Sequence, residues 1–290
     1  MQSISFAKEK PLSDFLHQFV DWFNSDPRHY QIIFLSVFLF YGIAGLNWEV
    51  NTPNLLLTFF TCFITQSIFT AVTTQDYRSL KSAAISALSL CLMLKTNSPF
   101  VIVLASVLTI SSKFIFRFPF FPLGRSKGAK HFFNPTNFGI IVTILLTHNA
   151  WISPGQWGSN GLLVFSIGLL GLVVLLRVKR LDTAIAFLFT FCSLSFIRSV
   201  VVLGWQPDFF LHQFTSGTLL LFSFFMITDP VSTPSHPYAR IAWATLVGLL
   251  AFFLGTYEFV NGAPLWALFF LSPLTILLDK IFVHSKFQWV

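Results

Sequence analysis

Residues 130–141, KHFFNPTNFGII, run from a basic loop through Asn-Pro-Thr-Asn straight into an apolar segment. Asn134 is a favourable N-cap, and Pro135 suits the first helical position, where its missing N–H costs nothing, so a helix is expected to begin here. The residues that follow are apolar enough to enter a hydrocarbon layer. This stretch therefore reads as the entrance to a membrane span.

Composition extends that reading to the whole chain. It is 54% hydrophobic and 10% charged, with 38 Phe among 290 residues and a mean hydropathy of +0.73, whereas soluble domains carry about 25% charged residues. Ten apolar segments are expected to cross the membrane, at residues 31–48, 53–73, 80–96, 99–116, 135–150, 160–177, 182–199, 210–228, 240–256 and 263–282. The fold class is an all-α integral membrane protein. The N-terminus lacks the pattern of a cleaved signal peptide. Before the first span, Phe15, Phe19 and Trp22 recur at helical spacing, so residues 1–30 are expected to form a cytoplasmic tail with a short interfacial helix.

Lys and Arg set the orientation. With ten spans, 16 of the 18 fall on the side of the N-terminus, and Lys95 and Arg198 on the other. The positive-inside rule then puts both termini in the cytoplasm, in a cytoplasmic (inner) membrane surrounded by lipid. The same asymmetry accounts for most of the +7 net charge without a nucleic-acid partner. Cys62, Cys91 and Cys192 are isolated and the His residues scattered, so no metal site is expected.

Two halves share a pattern. The third span ends at Asn97-Ser98-Pro99 and the eighth at Thr228-Asp229-Pro230; the fifth begins at Asn134-Pro135 and the tenth just after Asn261-Gly262-Ala263-Pro264. In a ten-span chain these features lie on opposite faces, the mark of a five-plus-five inverted repeat. Residues 31–150 form the first repeat and 160–283 the second, within one membrane domain.

The fifth helix presents its free N–H groups beside Lys130 and His131, with Thr136 and Asn137 in its first turn, a setting that favours an anion. The segment FFMITDPVSTPSHPYAR, residues 224–240, brings a second polar helix end to the same face. A carboxylate at a helix C-terminus opposes the dipole, so Asp229 needs a partner. Ser232 and Thr233 add hydroxyls, and Arg240 a cation. Two arrangements are open: Thr228, Asp229 and their neighbours frame one cytoplasmic ligand pocket with Asn134, or the motifs only punctuate helices and Asp229 pairs with Arg240.

SKFIFRF (112–118), GRSKGAKHFFNPTNFG (124–139) and FFMITDPVSTP (224–234) resemble the NqrB/RnfD family, the large flavin-binding membrane subunits of the sodium-translocating NADH:quinone reductase and of the Rnf electron-transport complex. Asn261 and Pro273-Leu274 extend the resemblance, which covers nearly the whole chain. It implies a ten-span inverted repeat similar to urea-transporter-like channels, flavin cofactors, electron transfer across the membrane and other redox subunits as partners. Covalent FMN in this family is attached to the threonine of a Ser/Thr-Gly-Ala-Thr segment in the loop after the fifth span. Here that loop, THNAWISPGQWGSNG (147–161), has no such segment, and Thr215-Ser216-Gly217-Thr218 has the wrong order. The expectation is noncovalent riboflavin or FMN. A channel or carrier for a small solute, or a scaffold for a partner enzyme, are the alternatives on the same fold.

Overall fold

The computed structural model describes residues 21, 23–48, 51–73, 79–118, 130–153, 161–214, 216–285 and 287. Most of the expected interfacial helix before the first span lies outside them. Twelve helices are labelled here: α1 (Pro27–Ala44), α2 (Thr52–Thr73), α3 (Leu80–Met93), α4 (Pro99–Ile115), α5 (Pro135–Thr147), α6 (Gly161–Val178), α7 (Leu181–Phe196), α8 (Pro207–Phe214), α9 (Gly217–Leu221), α10 (Pro237–Thr256), α11 (Ala263–Leu271) and α12 (Leu274–Ile281). Helices α1, α4, α5, α10 and α11 each carry Pro in the first turn, where it stops the preceding loop and starts the helix without losing a hydrogen bond.

Helix α2 shows which solvent the fold is built for. Its buried positions include Thr58, Thr65, Gln66 and Thr70, while Leu56, Phe60, Ile64, Ile68 and Val72, spaced four apart, are exposed. A helix in water would face the other way. With its polar side chains turned inward and an apolar stripe outward, α2 suits hydrocarbon. Three helical stretches are long and apolar enough to cross a membrane: Thr52–Thr73, Leu181–Val202 and Pro237–Thr256. The pair α11 and α12 makes a fourth if counted as one span. The protein is a multi-pass membrane protein.

Two expected spans are not continuous. The last is bent by 50° between α11 and α12, where Pro273 cannot donate to the helical ladder. The eighth is divided into α8 and α9. Helices α7 and α9 also run on into wide π turns, Ile197–Val202 and Phe222–Met226. Nor is the chain helical throughout. Four two-residue extended segments, labelled β1 (Leu94–Lys95), β2 (Arg117–Phe118), β3 (Lys130–His131) and β4 (Trp151–Ile152), pair antiparallel as β1 with β4 and β2 with β3.

Packing joins α2 to α4 and α4 to α5, and likewise α7 to α10 and α10 to α11. Helix α1 packs on α3, and α6 on α9 and its π turn. The two sets meet where α5 touches α11 and α1 touches α6. Gly139 lies where α5 crosses α4 close to Thr109.

Candidate functional site

The start of α5 is fixed from both sides. The pairing of β3 with β2 sets Arg117 opposite His131 and Phe118 opposite Lys130. Phe133 and Phe138 then pack with Phe116, and Phe133 stacks on Phe269 of α11 at 5.3 Å. Asn134 is the N-cap: its Oδ1 accepts from the Asn137 N–H at 3.0 Å, which leaves its Nδ2 to donate to the Met226 carbonyl at 3.1 Å. That carbonyl has room for a second donor: the Asp229 N–H reaches it at 3.3 Å, and Pro230, four residues on, has no N–H to offer. One asparagine thus ties the start of α5 to the end of the α9 stretch.

The loop after Met226 is held by charges from several elements. Asp229 Oδ1 accepts from the Val231 N–H at 3.2 Å and Oδ2 from the Ser232 hydroxyl at 2.9 Å, while His131 Nε2 lies 3.5 Å from Oδ2. Lys130 donates to Thr233 O at 2.8 Å and pairs with Asp279 of α12. Asp279 in turn accepts from the Ser235 N–H at 2.7 Å. Arg180, between α6 and α7, donates to Thr233 Oγ1 and Pro230 O, both at 3.2 Å.

The expected alternative of an Asp229–Arg240 pair is wrong. Arg240 pairs with Asp182 at 2.5 Å and donates to Ser235 O at 2.8 Å. Helix α10 packs along α7, so Asp182 in the first turn of α7 meets Arg240 in the first turn of α10. Asp229 is left to His131.

These contacts set the protonation of Asp229. Burial alone would raise its pKa, but the hydrogen bond and charge of His131, with the Ser232 hydroxyl and the Val231 N–H, hold it below the usual 3.8. A carboxyl whose folded-state pKa is depressed stabilises the fold above its unfolded value and loses that contribution as pH falls through the folded value. We expect the thermal midpoint of detergent-solubilised protein to drop as pH is lowered below about 4, and Asp229→Asn to flatten that part of the profile. An unchanged profile in the variant would show that Asp229 makes no net contribution.

Between the two motifs lies a cavity of about 80 Å³. His131, Asn134, Thr136, Thr228 and Asp229 line it together with Arg28, Ser82 and Ser86, over an apolar floor that includes Leu35, Val174 and Phe225. Asn137 is not part of that lining. It is fully buried, and both its amide atoms lack a hydrogen-bond partner among the described residues. The Thr228 hydroxyl is turned back to Phe224 O at 2.7 Å, and Ser232, Thr233 and Arg240 are occupied in holding the loop.

Besides Arg28, which lines the cavity, two cations at the junction escaped the sequence reading, which counted all three only towards topology. Arg180 is one. Lys113 of α4 is the other: it is buried and donates to Ser82 O and Oγ, both at 3.0 Å. Lys113 lies inside an expected span, and a lysine in that position is a sequence signal for function in its own right.

A flavin ring does not fit this junction. Pockets for drug-sized molecules measure roughly 300 to 1,000 Å³, several times the enclosed space, and Asn134, Asp229 and Lys130 already satisfy one another's neighbours. The arrangement can clasp two segments of the chain around a small polar cavity. Among the described residues there is no group of three or more His, Cys, Asp or Glu placed to hold a metal.

Comparison with known proteins places the segments 130–141 and 224–240 in one matched region. Residues 115–288 match the family described as NQR2, RnfD, RnfE. A component of the ion-translocating oxidoreductase complex of Shewanella frigidimarina (strain NCIMB 400) is 30% identical over 130 residues, which is 42% of this chain and 34% of the relative. The alignment thus spans about a third of that relative's length.

Proposed function

The chain belongs to the NQR2, RnfD, RnfE family, and from that premise we propose that it is a membrane subunit of an ion-translocating redox assembly that works with noncovalently bound riboflavin or FMN. The observation that carries this reading is the family match over residues 115–288, within which the bond of Asn134 to Met226 joins the 130–141 and 224–240 segments. Other redox subunits are its partners, as the name of the Shewanella relative suggests.

The fold that goes with this role has ten crossings in an inverted repeat with both termini in the cytoplasm. Its support is the recurrence of packing: the chain α2–α4–α5 has its counterpart in α7–α10–α11, and the contact of α1 with α3 has its counterpart in α6 with α9. The orientation rests on the distribution of Lys and Arg.

Flavin chemistry would supply one-electron transfer. Because the junction does not hold the ring, no step is assigned to its residues beyond clasping the two halves, and the cofactor is sought on the whole protein. The test is the absorption spectrum of protein purified under mild conditions: flavin bands near one per chain are expected, and their release on denaturation separates noncovalent from covalent attachment. A flavin-free spectrum would overturn the redox reading. It would favour a carrier for a small solute, which the polar-mouthed cavity of about 80 Å³ between the halves suits by size.

A further inference from the structure

A second cavity lies at the other end of the α3–α4 hairpin from Lys113. It measures about 480 Å³ and is bounded by α1, the start of α2, the end of α3 with β1, and the first turns of α4, with Trp151 at its side. Asn51 Oδ1 is used to accept the Asn54 N–H at 3.3 Å, the Thr58 hydroxyl returns to Asn54 O at 2.9 Å, and Thr96 Oγ1 bonds Asn149 O at 2.7 Å and the Ser98 N–H at 3.1 Å. Also in the lining are the Lys95 ammonium, its one charged side chain, and the side-chain amides of Asn51, Asn54 and Asn97.

Lys95 has no carboxylate at ion-pair distance among the described residues; its ammonium lies 5.8 Å from the Trp48 ring centre. Ser106, fully buried on the wall of the cavity, has a hydroxyl with no hydrogen-bond partner among the described residues, its polar neighbour being the Cys62 thiol. Helices α2 and α4 both begin at this end, and the Ser98 side chain at the start of α4 makes no capping bond. A partly buried cation and two helix N-termini favour negative charge, and the three side-chain amides can donate to it. The rest of the wall, Leu39, Leu55, Leu90 and Ile102, is apolar.

We propose that this cavity binds an amphipathic anion, its phosphate or carboxylate held by Lys95 and the Asn51, Asn54 and Asn97 amides, and its apolar part by Leu39, Leu55 and Ile102. The volume suits a ligand of that kind, being within the roughly 300 to 1,000 Å³ range of small-molecule pockets. The proposal does not depend on the flavin reading, since neither its residues nor its test involves the junction or a flavin.

The group recognised can belong to a lipid headgroup or to a free phosphate, and the test separates the two. Delipidated protein in detergent is titrated with short-chain phosphatidylglycerol, with phosphatidylcholine of the same chain length, and with inorganic phosphate, and adducts and thermal midpoints are followed by native mass spectrometry and thermal unfolding. A lipid site predicts phosphatidylglycerol bound about tenfold or more tightly than phosphatidylcholine, the usual scale for a charge-assisted contact. A site for the free anion predicts stabilisation by phosphate alone. In either case Lys95→Gln removes the effect and Lys95→Arg retains it. Equal binding of the two lipids with no response to phosphate, or a response unchanged in Lys95→Gln, overturns the proposal. Should Lys95→Gln fail to fold, Asn54→Leu, which removes a donor at the same wall, is expected to weaken the anion preference, and an unaltered preference there overturns it equally.

Discussion

Asn134→Ala is expected to destabilise the protein by about 1.5 to 2.5 kcal/mol, because it removes two bonds of different origin. Loss of an N-cap side chain costs about 1 kcal/mol, and loss of one of the two hydrogen bonds to the Met226 carbonyl, which keeps the Asp229 N–H at 3.3 Å, adds about 0.5 to 1.5 kcal/mol. Here the cap serves the Asn137 N–H and the donor serves Met226 O. Asn134→Asp separates them. Its carboxylate keeps the cap and faces the Met226 carbonyl with an acceptor, so it should restore the start of α5 without rejoining the two segments. Chemical or thermal unfolding in detergent reads both variants. If Asn134→Asp were as stable as the natural protein, the contact between the segments would carry no weight, and α5 would depend on its cap alone.

The second large effect lies one helical turn further on. A Cβ added at Gly139 would stand 1.8 Å from Thr109 Oγ1 and 2.9 Å from the Ala105 carbonyl oxygen. The second neighbour is backbone and cannot swing away. Gly139→Val should therefore force α4 and α5 apart, costing about 3 kcal/mol or more, and the yield of monodisperse protein should collapse. Gly139→Ala is milder, and combining it with Thr109→Ala should recover part of the loss, since residues in contact are not additive. Full stability of Gly139→Ala on its own would mean that the two helices have room to separate.

The positions of the helices were legible because their signals are local. Apolar runs with a proline in the first turn mark where α4 and α5 begin, and the Asn134 cap was readable from Asn-Pro alone; α1 and α10 begin earlier than the apolar segments expected from 31 and 240, at Pro27 and Pro237. The π turn that ends at Met226 was not, because widening a turn by one residue changes no sequence period that a reader can detect. The break at Pro273 was visible as a proline but was read as part of a span. Pairing of charge was the least legible. Arg240 and Asp229 are close in sequence and looked like partners, yet Arg240 meets Asp182, a contact made only once α10 lies along α7. Lys113 and Arg180 were hidden for a related reason: a topology rule gives every cation the same meaning, whereas burial distinguishes those that hold the junction.

The bond from Asn134 to Met226 spans 92 residues of chain, and that from Lys130 to Thr233 spans 103. On a ribosome adding about 5 to 20 residues per second, the first partner is made roughly 5 to 20 s before the second. For that interval Lys130, His131 and the start of α5 must wait in a membrane without the loop that later holds them. Of the two side-chain bonds of Asn134, only the one within the cap, from the Asn137 N–H, is available from the outset. One side chain thus acts at two moments of biosynthesis, keeping the nascent helix closed at first and latching the later segment onto it when that segment arrives.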